Sequence, residues 1–239
     1  KEARKRRSDY RQNVQMIFQD AMSSFNPKKR IVDVLAEPIR NFTNMTPDEE
    51  RRRMIELLDI VGLTEDALTK YPHQFSGGQR QRIGVARAVA INPKLIIADE
   101  PVSALDLSVQ AQVLNFMKRI QEEYNVSYLF ISHDLGVVKH MCDEIAIMYR
   151  GRFTEYGNKE DIYEDPQHIY TRRLLSAIPQ IDPNNRDEHK KNRLRVEKVY
   201  QENQSKYFSE NGRVYDLKAV SDTHSVALKD VASTLEGGA

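Results

Sequence analysis

Residues 95–100 read LIIADE, Leu95 to Glu100. The run Lys94–Ala98 has the length and apolar content of a buried strand, bounded by Asn92-Pro93 before it and Pro101 after it. It delivers two carboxylates at its C-terminal end, the edge at which α/β folds place their ligands. Successive strand side chains point to opposite faces, so Asp99 and Glu100 are expected to do different work. Asp99 suits a magnesium ion, held directly or through water. Glu100 suits an attacking water, as general base or orienter. A surface Asp-Glu pair closing any strand would look the same, so the weight falls on what surrounds it.

Upstream, Val14–Phe18 (VQMIF) is a second short run of β-formers, followed by Gln19-Asp20 and a loop that breaks at Asn26-Pro27. Residues 30–42 and 47–61 read as helices, the second capped by Thr46, with Pro47 at its first position and Gly62 as its stop. Ser76 caps a helix running to about Ile91. Downstream, Ser108 caps the helix VQAQVLNFMKRIQEEY, and Val126–Ile131 forms a strand ending at Ser132-His133-Asp134. Residues 135–141, 144–149 and 152–156 read as helix, strand and strand, with a turn at Arg150-Gly151. This alternation predicts an α/β fold with a parallel core, interrupted by the mostly helical segment 30–90. A further helix fits His168–Ile178. Past Pro179, QIDPNNRDEHKKNRLRVEK is polar enough to read as a linker. Val214–Leu217 and His224–Leu228 read as a late hairpin, and the tip STLEGGA is expected to fray.

Composition narrows the function. The single cysteine, Cys142, excludes disulfide frameworks and four-cysteine metal or iron–sulfur sites within one chain. A formal net charge of +1 gives no global pull toward nucleic acid. The basic start KEARKRRSDYR reads as a solvated helix face, with a nucleic-acid or lipid patch as the alternative. With 30% charged residues and no apolar run of the roughly 20 residues a membrane span requires, the chain reads as surface-rich and non-spanning. No secretory signal peptide is visible.

Three further stretches give the carboxylates company. His133 ends a neighbouring strand, where it can hydrogen-bond a γ-phosphate or the attacking water. Gln19 ends another, and an amide can coordinate magnesium or position water without adding charge. In FSGGQRQRIGVARA, Phe75 to Ala88, Ser76 offers a hydroxyl, and Gly77 and Gly78 let backbone N–H groups approach phosphate oxygens. The helix start adds its positive end, and Arg80, Arg82 and Arg87 add charge. Read alone, each has a plain structural alternative: a strand-end polar residue, or an ordinary N-cap.

Together, IFQD, FSGGQRQRIGVARA, LIIADEPVSALD and ISHD, in this order and spacing, resemble the ATP-binding-cassette (ABC) ATPases over about residues 10–180. The resemblance implies a Q-loop at Gln19, a signature at Phe75–Gln79, a Walker B strand at Leu95–Glu100, a D-loop at Ser103–Asp106 and a switch histidine at His133. EDPQHIYTRRLLSAIPQ, Glu164–Gln180, and IFQDAMSSFNPKKRI are similar to the oligopeptide and dipeptide permease ATPases, as is the tail RVYDLKAVSDTHSVAL. Phe75 stands where the family more often has Leu. The resemblance implies a partial P-loop NTPase core with parallel strands, an inserted α-helical signature subdomain and a C-terminal extension. The expected partition is 1–29 (Q-loop strand and remnant of the N-terminal core), 30–90 (signature subdomain), 91–163 (Walker B, D-loop and H-loop core) and 164–239 (permease-type extension).

It also implies ATP and Mg²⁺ as cofactors. Glu100 and His133 become the catalytic pair; Gln19, Ser76, Gly77, Gly78, Gln79, Asp99 and Asp106 contact nucleotide, and Gln19 and Asp99 hold the metal. The family's Walker A loop, G-x-x-x-x-G-K-[ST], belongs upstream of the Q-loop. No Gly-Lys pair occurs in the 239 residues, so the expectation is a chain lacking its N-terminal Walker A region, about a hundred residues in the family's usual layout. Cassettes of this family pair head to tail, each signature closing over its partner's ATP. Ser76, Gly77 and Gly78 would then hold a phosphate bound by a second ATPase subunit, and the catalytic half would be inactive in this chain alone. The expected function is ATP hydrolysis driving oligopeptide or dipeptide uptake. The expected partners are a second ABC ATPase subunit, transmembrane permease subunits and, indirectly, a peptide-binding protein, with no nucleic acid. The expected place is peripheral, at the cytoplasmic face of the membrane. The alternative is a catalytically inactive ABC fragment acting only as a binding module.

Overall fold

A computed structural model describes residues 2–178 and 186–230, which fall into two compact units divided between His133 and Asp134. The first unit is built on a three-stranded parallel sheet in the order β1 (Val14–Ile17), β2 (Leu95–Asp99), β3 (Ser127–Ile131). Val14 pairs with Leu95, and Leu95 with Ser127. Ile96 and Ala98, alternate residues of the central strand, are fully buried, as the period of two requires.

Helices make both crossovers. Before β1 lies α1 (Glu2–Asn13), whose basic residues Lys5, Arg6, Arg7 and Arg11 face solvent, as expected. Between β1 and β2 come α2 (Ala21–Ser24), α3 (Ile31–Phe42), α4 (Pro47–Ile60) and α5 (Gly77–Val89); α6 (Leu107–Tyr124) returns the chain to β3. Ile31, Leu35 and Ile39 of α3, Leu57 and Leu58 of α4 and Ile83 of α5 form the buried seam of this helical subdomain. The start of α4 is a reciprocal cap: the Glu49 amide donates to the Thr46 hydroxyl, and the Thr46 amide donates to the Glu49 carboxylate at 2.8 Å. Arg53 of α4 ends α5. Its buried guanidinium donates to the carbonyls of Val89 (3.1 Å) and Ala90 (3.3 Å) and to the Asn92 side chain (2.6 Å). It also pairs with Glu56 at 2.8 Å.

The second unit holds α7 (Leu135–Met141), β4 (Glu144–Tyr149), β5 (Arg152–Asn158), α8 (Lys159–Glu164), α9 (Ile169–Ser176), α10 (Arg186–Glu202), α11 (Gln204–Tyr207), β6 (Leu217–Ala219) and β7 (Ser225–Ala227). β4 follows a strand–helix alternation, yet it is antiparallel and belongs to a four-stranded sheet in the order β4-β5-β7-β6. The physical reason is the turn: Arg150 and Gly151 both adopt positive φ (48° and 78°), the geometry that closes a two-residue hairpin. The hairpin fixes β5 to β4.

Two expectations are corrected here. Within the polar stretch after Pro179, residues 180–185 lie outside the described residues, and Arg186 to Glu202 is a helix, not a linker. Val196, Val199 and Tyr200, at helical spacing, face inward, and Arg173 on α9 pairs with Glu197 at 2.8 Å. The late hairpin joins Leu217–Ala219 to Ser225–Ala227, while Val214 bridges Phe208 instead. The STLEGGA tip lies outside the described residues.

The core of this unit includes one buried charged network. Glu155, fully buried, accepts from the amides of Gln167 (2.6 Å) and His168 (3.2 Å) and lies 2.8 Å from His224 Nε2. That bond to Glu155 raises the His224 pKa against the opposing effect of burial. His168 caps α9, its Nδ1 accepting from the Tyr170 amide at 3.0 Å. The ring hydrogen therefore sits on Nε2, which is buried without a hydrogen-bond partner among the described residues. The ring packs edge-on to Tyr207 and Phe208 instead. Burial pushes the His168 pKa down to about 3.

Candidate active site

All three strands of the parallel sheet end at one edge, and each contributes one residue there. Glu100 directly follows β2, Gln19 lies two residues past β1, and His133 two past β3. Glu100 continues the sheet through its amide, which donates to the Ile131 carbonyl at 2.9 Å. Its own backbone then turns left-handed, at φ 44°. The strand alternation therefore ends at Asp99, and Glu100 is aimed by this turn.

The Glu100 carboxylate is bracketed. Gln19 Nε2 donates to Oε2 at 2.9 Å, and His133 Nδ1 lies 3.0 Å from Oε1. Ser103 joins them: its hydroxyl accepts from Gln19 at 3.3 Å and donates to the Glu100 carbonyl at 3.1 Å. The hydrogen bond to His133 holds the Glu100 carboxyl below the ordinary carboxylate range, against partial burial, with help from the imidazole charge and Ser103. A carboxylate so held stays ionised and can orient a water, while its lowered pKa makes it a weaker base than a free glutamate. The His133 side chain is 71% exposed, so it is reachable from solvent.

Asp99 closes β2 half-buried, and its carboxylate has no hydrogen bond among the described residues. Gln19 spends its amide hydrogens on Glu100 and Ser103, which leaves Oε1 as an acceptor. The described residues contain no group of three or more His, Cys, Asp or Glu side chains placed to hold a metal. The donor set still fits magnesium, which commonly takes one or two protein oxygens and completes its shell with phosphates and water. Asp99 and Gln19 are the residues that would hold it.

The signature forms a second cluster. Ser76 and Gln79 make a reciprocal cap on α5: the Gln79 amide donates to the Ser76 hydroxyl at 3.3 Å, and the Ser76 amide to Gln79 Oε1 at 2.9 Å. The ordinary N-cap is therefore present, and Ser76 keeps its own hydroxyl hydrogen to donate. Ser76 and Gly77 are exposed, whereas Gly78 is buried. A Cβ on Gly78 would lie 2.2 Å from Val109 Cγ1, so this glycine is required by packing against α6 as well as by any approach of phosphate. Asp106, not Ser108, caps α6: its Oδ1 accepts from the Val109 amide at 3.1 Å and from the Ser108 hydroxyl at 2.8 Å. These bonds lower the Asp106 pKa, the Ser108 hydroxyl most.

Two of the three arginines of this stretch act elsewhere. Arg82 donates to the Val61 carbonyl at 3.2 Å and lies over Phe116; Arg87 donates to the Ser24 carbonyl at 2.8 Å and lies over Phe25. Burial lowers the pKa of both. They hold the helical subdomain together. Two positioning residues escaped the sequence reading. Ser103 had no signal beyond its place in the D-loop. Gln81, 3% exposed, donates to the Phe18 carbonyl at 3.2 Å and so ties the signature helix to the Q-loop. Only its inward position on the helix face could have shown it.

Two family profiles match. The ABC transporter profile covers residues 1–103, and the oligopeptide/dipeptide transporter C-terminal region covers residues 154–213. The oligopeptide transport ATP-binding protein OppF of Lactococcus lactis subsp. lactis is 59% identical over 227 residues, 95% of this chain and 71% of that protein. The dipeptide transport ATP-binding protein DppF of Escherichia coli is 48% identical over 178 residues, 74% of this chain and 53% of that protein. Among solved structures, cbiO1 of Clostridium perfringens, part of an ABC transporter complex, aligns at TM-score 0.59 and 25% identity over 69% of this chain and 64% of that one. A dimeric ATP-binding cassette bound to ADP and Pi aligns at TM-score 0.57 and 27% identity, over 64% of this chain and 66% of that one. With the strand-edge carboxylate, glutamine and histidine held in one hydrogen-bonded group, the chain belongs to the ABC transporter ATPases, among the oligopeptide/dipeptide ATP-binding subunits.

Proposed function

We propose that this chain is the ATP-binding subunit, or a truncated piece of one, of an importer that couples ATP hydrolysis to uptake of oligopeptides or dipeptides. The observation that carries the reading is Glu100 held between Gln19 and His133 at the sheet edge. Glu100 orients the attacking water and accepts its proton. His133, exposed beside it, contacts the γ-phosphate and holds the carboxylate in place. Gln19 bridges the site to the Q-loop, and Asp99 and Gln19 offer oxygens to magnesium. The metal, when bound, neutralises charge on the transferred phosphoryl group.

Ser76, Gly77, Gly78 and Gln79 act on a second cassette. The positive end of α5 and the Ser76 hydroxyl favour phosphate held by the partner. Asp106 fixes the D-loop beside them. The permease docks near the Q-loop and residues 30–61, with AMSSFNPKK as the contact segment. Phe18 and Met45 are exposed apolar side chains of this region, 42% and 40% accessible. Among the described residues no helix is long and apolar enough to cross a membrane. A peripheral place at the cytoplasmic face, through the permease, follows from this reading.

The sequence holds no Gly-Lys phosphate loop. The strand edge of the 239-residue chain alone is therefore expected to bind no magnesium-ATP by calorimetric titration and to support no hydrolysis. Micromolar binding, with hydrolysis abolished by Glu100→Gln, would place phosphate on groups outside this account and overturn it. The transport names of the relatives do not favour a binding module without catalysis.

A further inference from the structure

The second unit contains an open cleft of about 490 Å³ whose lining includes none of the ATPase motifs. That size suits a small organic ligand. Its walls combine three tyrosines, Tyr149, Tyr200 and Tyr215, with Phe208. Phe208 is fixed by edge contacts to Tyr149 and Tyr200, at centroid distances of 5.7 and 6.3 Å. Arg173 lies over the Tyr200 ring at 4.5 Å from its centroid, and Tyr215, half-buried, makes no ring contact among the described residues.

Two cations complete the lining, Arg150 and Lys229, both exposed and neither in an ion pair among the described residues. Arg150 is held by its left-handed backbone and lies over Tyr149, its guanidinium 5.3 Å from the ring centroid. Lys229 is anchored by its amide, which donates to the Lys206 carbonyl at 2.9 Å. The one carboxylate of the lining is Glu210. Two cations against one acid select an anion, and the aromatic wall selects a planar ring.

We propose that this cavity binds a ring-bearing phosphate of mononucleotide size, as an effector site separate from the hydrolytic one. The guanidinium and ammonium take the phosphate. The ring stacks on the tyrosine wall. Glu210 accepts from an exocyclic amine of the base.

The test is calorimetric titration of the full 239-residue chain, without magnesium, with AMP, adenosine and inorganic phosphate in turn. AMP should saturate below about millimolar concentration, and adenosine and phosphate should each bind more weakly. Arg150→Asn removes the guanidinium while keeping a residue that tolerates positive φ; Lys229→Gln removes the ammonium. Each should weaken AMP about tenfold, one charge-assisted contact, with an unchanged melting curve. Phosphate binding as tightly as AMP would reduce the cavity to an anion site and overturn the proposal. So would AMP affinity that survives both substitutions, or no saturable binding of AMP. Magnesium-ATP is titrated separately into the chain carrying both Arg150→Asn and Lys229→Gln, so heat from this cleft is not counted against the catalytic reading and failure of either proposal is seen on its own.

Discussion

Replacing Gly78 by alanine should destabilise the first unit and do so through one identifiable contact. The new Cβ would sit 2.2 Å from Val109 Cγ1, roughly 1.5 Å inside ordinary carbon–carbon contact. Valine is stiff at χ1, and Val109 stands in the first turn of α6, so its methyl cannot swing away cheaply. Either α5 or α6 must shift. Overpacking of this kind costs about 1–3 kcal/mol. Alanine's better helix propensity returns less than about 1 kcal/mol, because Gly78 lies in the first turn. The expected net loss is about 1–2 kcal/mol. Urea unfolding of four proteins measures it: wild type, Gly78→Ala, Val109→Ala and the double variant. Val109→Ala removes the offending methyl, so the double variant should be more stable than the sum of the singles predicts, by about 1 kcal/mol or more. A Gly78→Ala protein as stable as wild type, or singles that simply add, would refute the packing explanation and leave phosphate approach as the sole reason for this glycine.

Asp106→Ala should cost about 1 kcal/mol by removing the α6 cap, with Asp106→Asn restoring most of it in the same unfolding assay. Arg53→Met keeps the buried stem but leaves the Val89 and Ala90 carbonyls unpaired; a loss of about 2–4 kcal/mol is expected, since the guanidinium is buried and its Glu56 partner half-exposed. For His168, folded pKa about 3 against an ordinary 6.5, the sign runs toward acid lability. Below pH 6.5 the unfolded chain takes a proton that the folded chain refuses, so stability falls as pH drops, by about 2 kcal/mol at pH 5. His168→Asn, which keeps a capping side chain, should flatten that slope in thermal melts across pH 5–7. His224 works oppositely: its raised pKa lends stability that is complete below the ordinary pKa and fades as pH climbs through the folded value.

Local signals were legible wherever a side chain acts on its own neighbours. Thr46-Pro47-Asp48-Glu49 announces the start of α4, and the structure closes that cap reciprocally. LIIAD announces a central strand, because only a strand buried on its faces is apolar without interruption. What escaped was decided at long range. Nothing within Glu144–Tyr149 says that β4 leaves the parallel alternation; its hairpin partner β5 pairs with β7, Glu155 with Val226, far along the chain. Composition alone hid α10, whose three inward residues sit among a dense run of charges. At the candidate site, strand ends placed Gln19, Glu100 and His133 together, since a parallel sheet brings its C-terminal ends to one edge. Ser103 and Gln81 act across 84 and 63 residues of chain, separations at which no periodicity operates. The Ser108 expectation failed for a narrower reason: an aspartate two residues earlier competes for the same amides and wins, with Ser108 donating to it.

The left-handed backbone of Glu100 carries an unstated liability. A side-chain-bearing residue at φ 44° gives up roughly 1 kcal/mol that glycine would not. Selection for heat tolerance or expression yield therefore has a cheap route through this position, and it removes the carboxylate that Gln19 and His133 bracket. Keeping a carboxylate there is the mark of a chain held to its chemistry, at the expense of its own resilience.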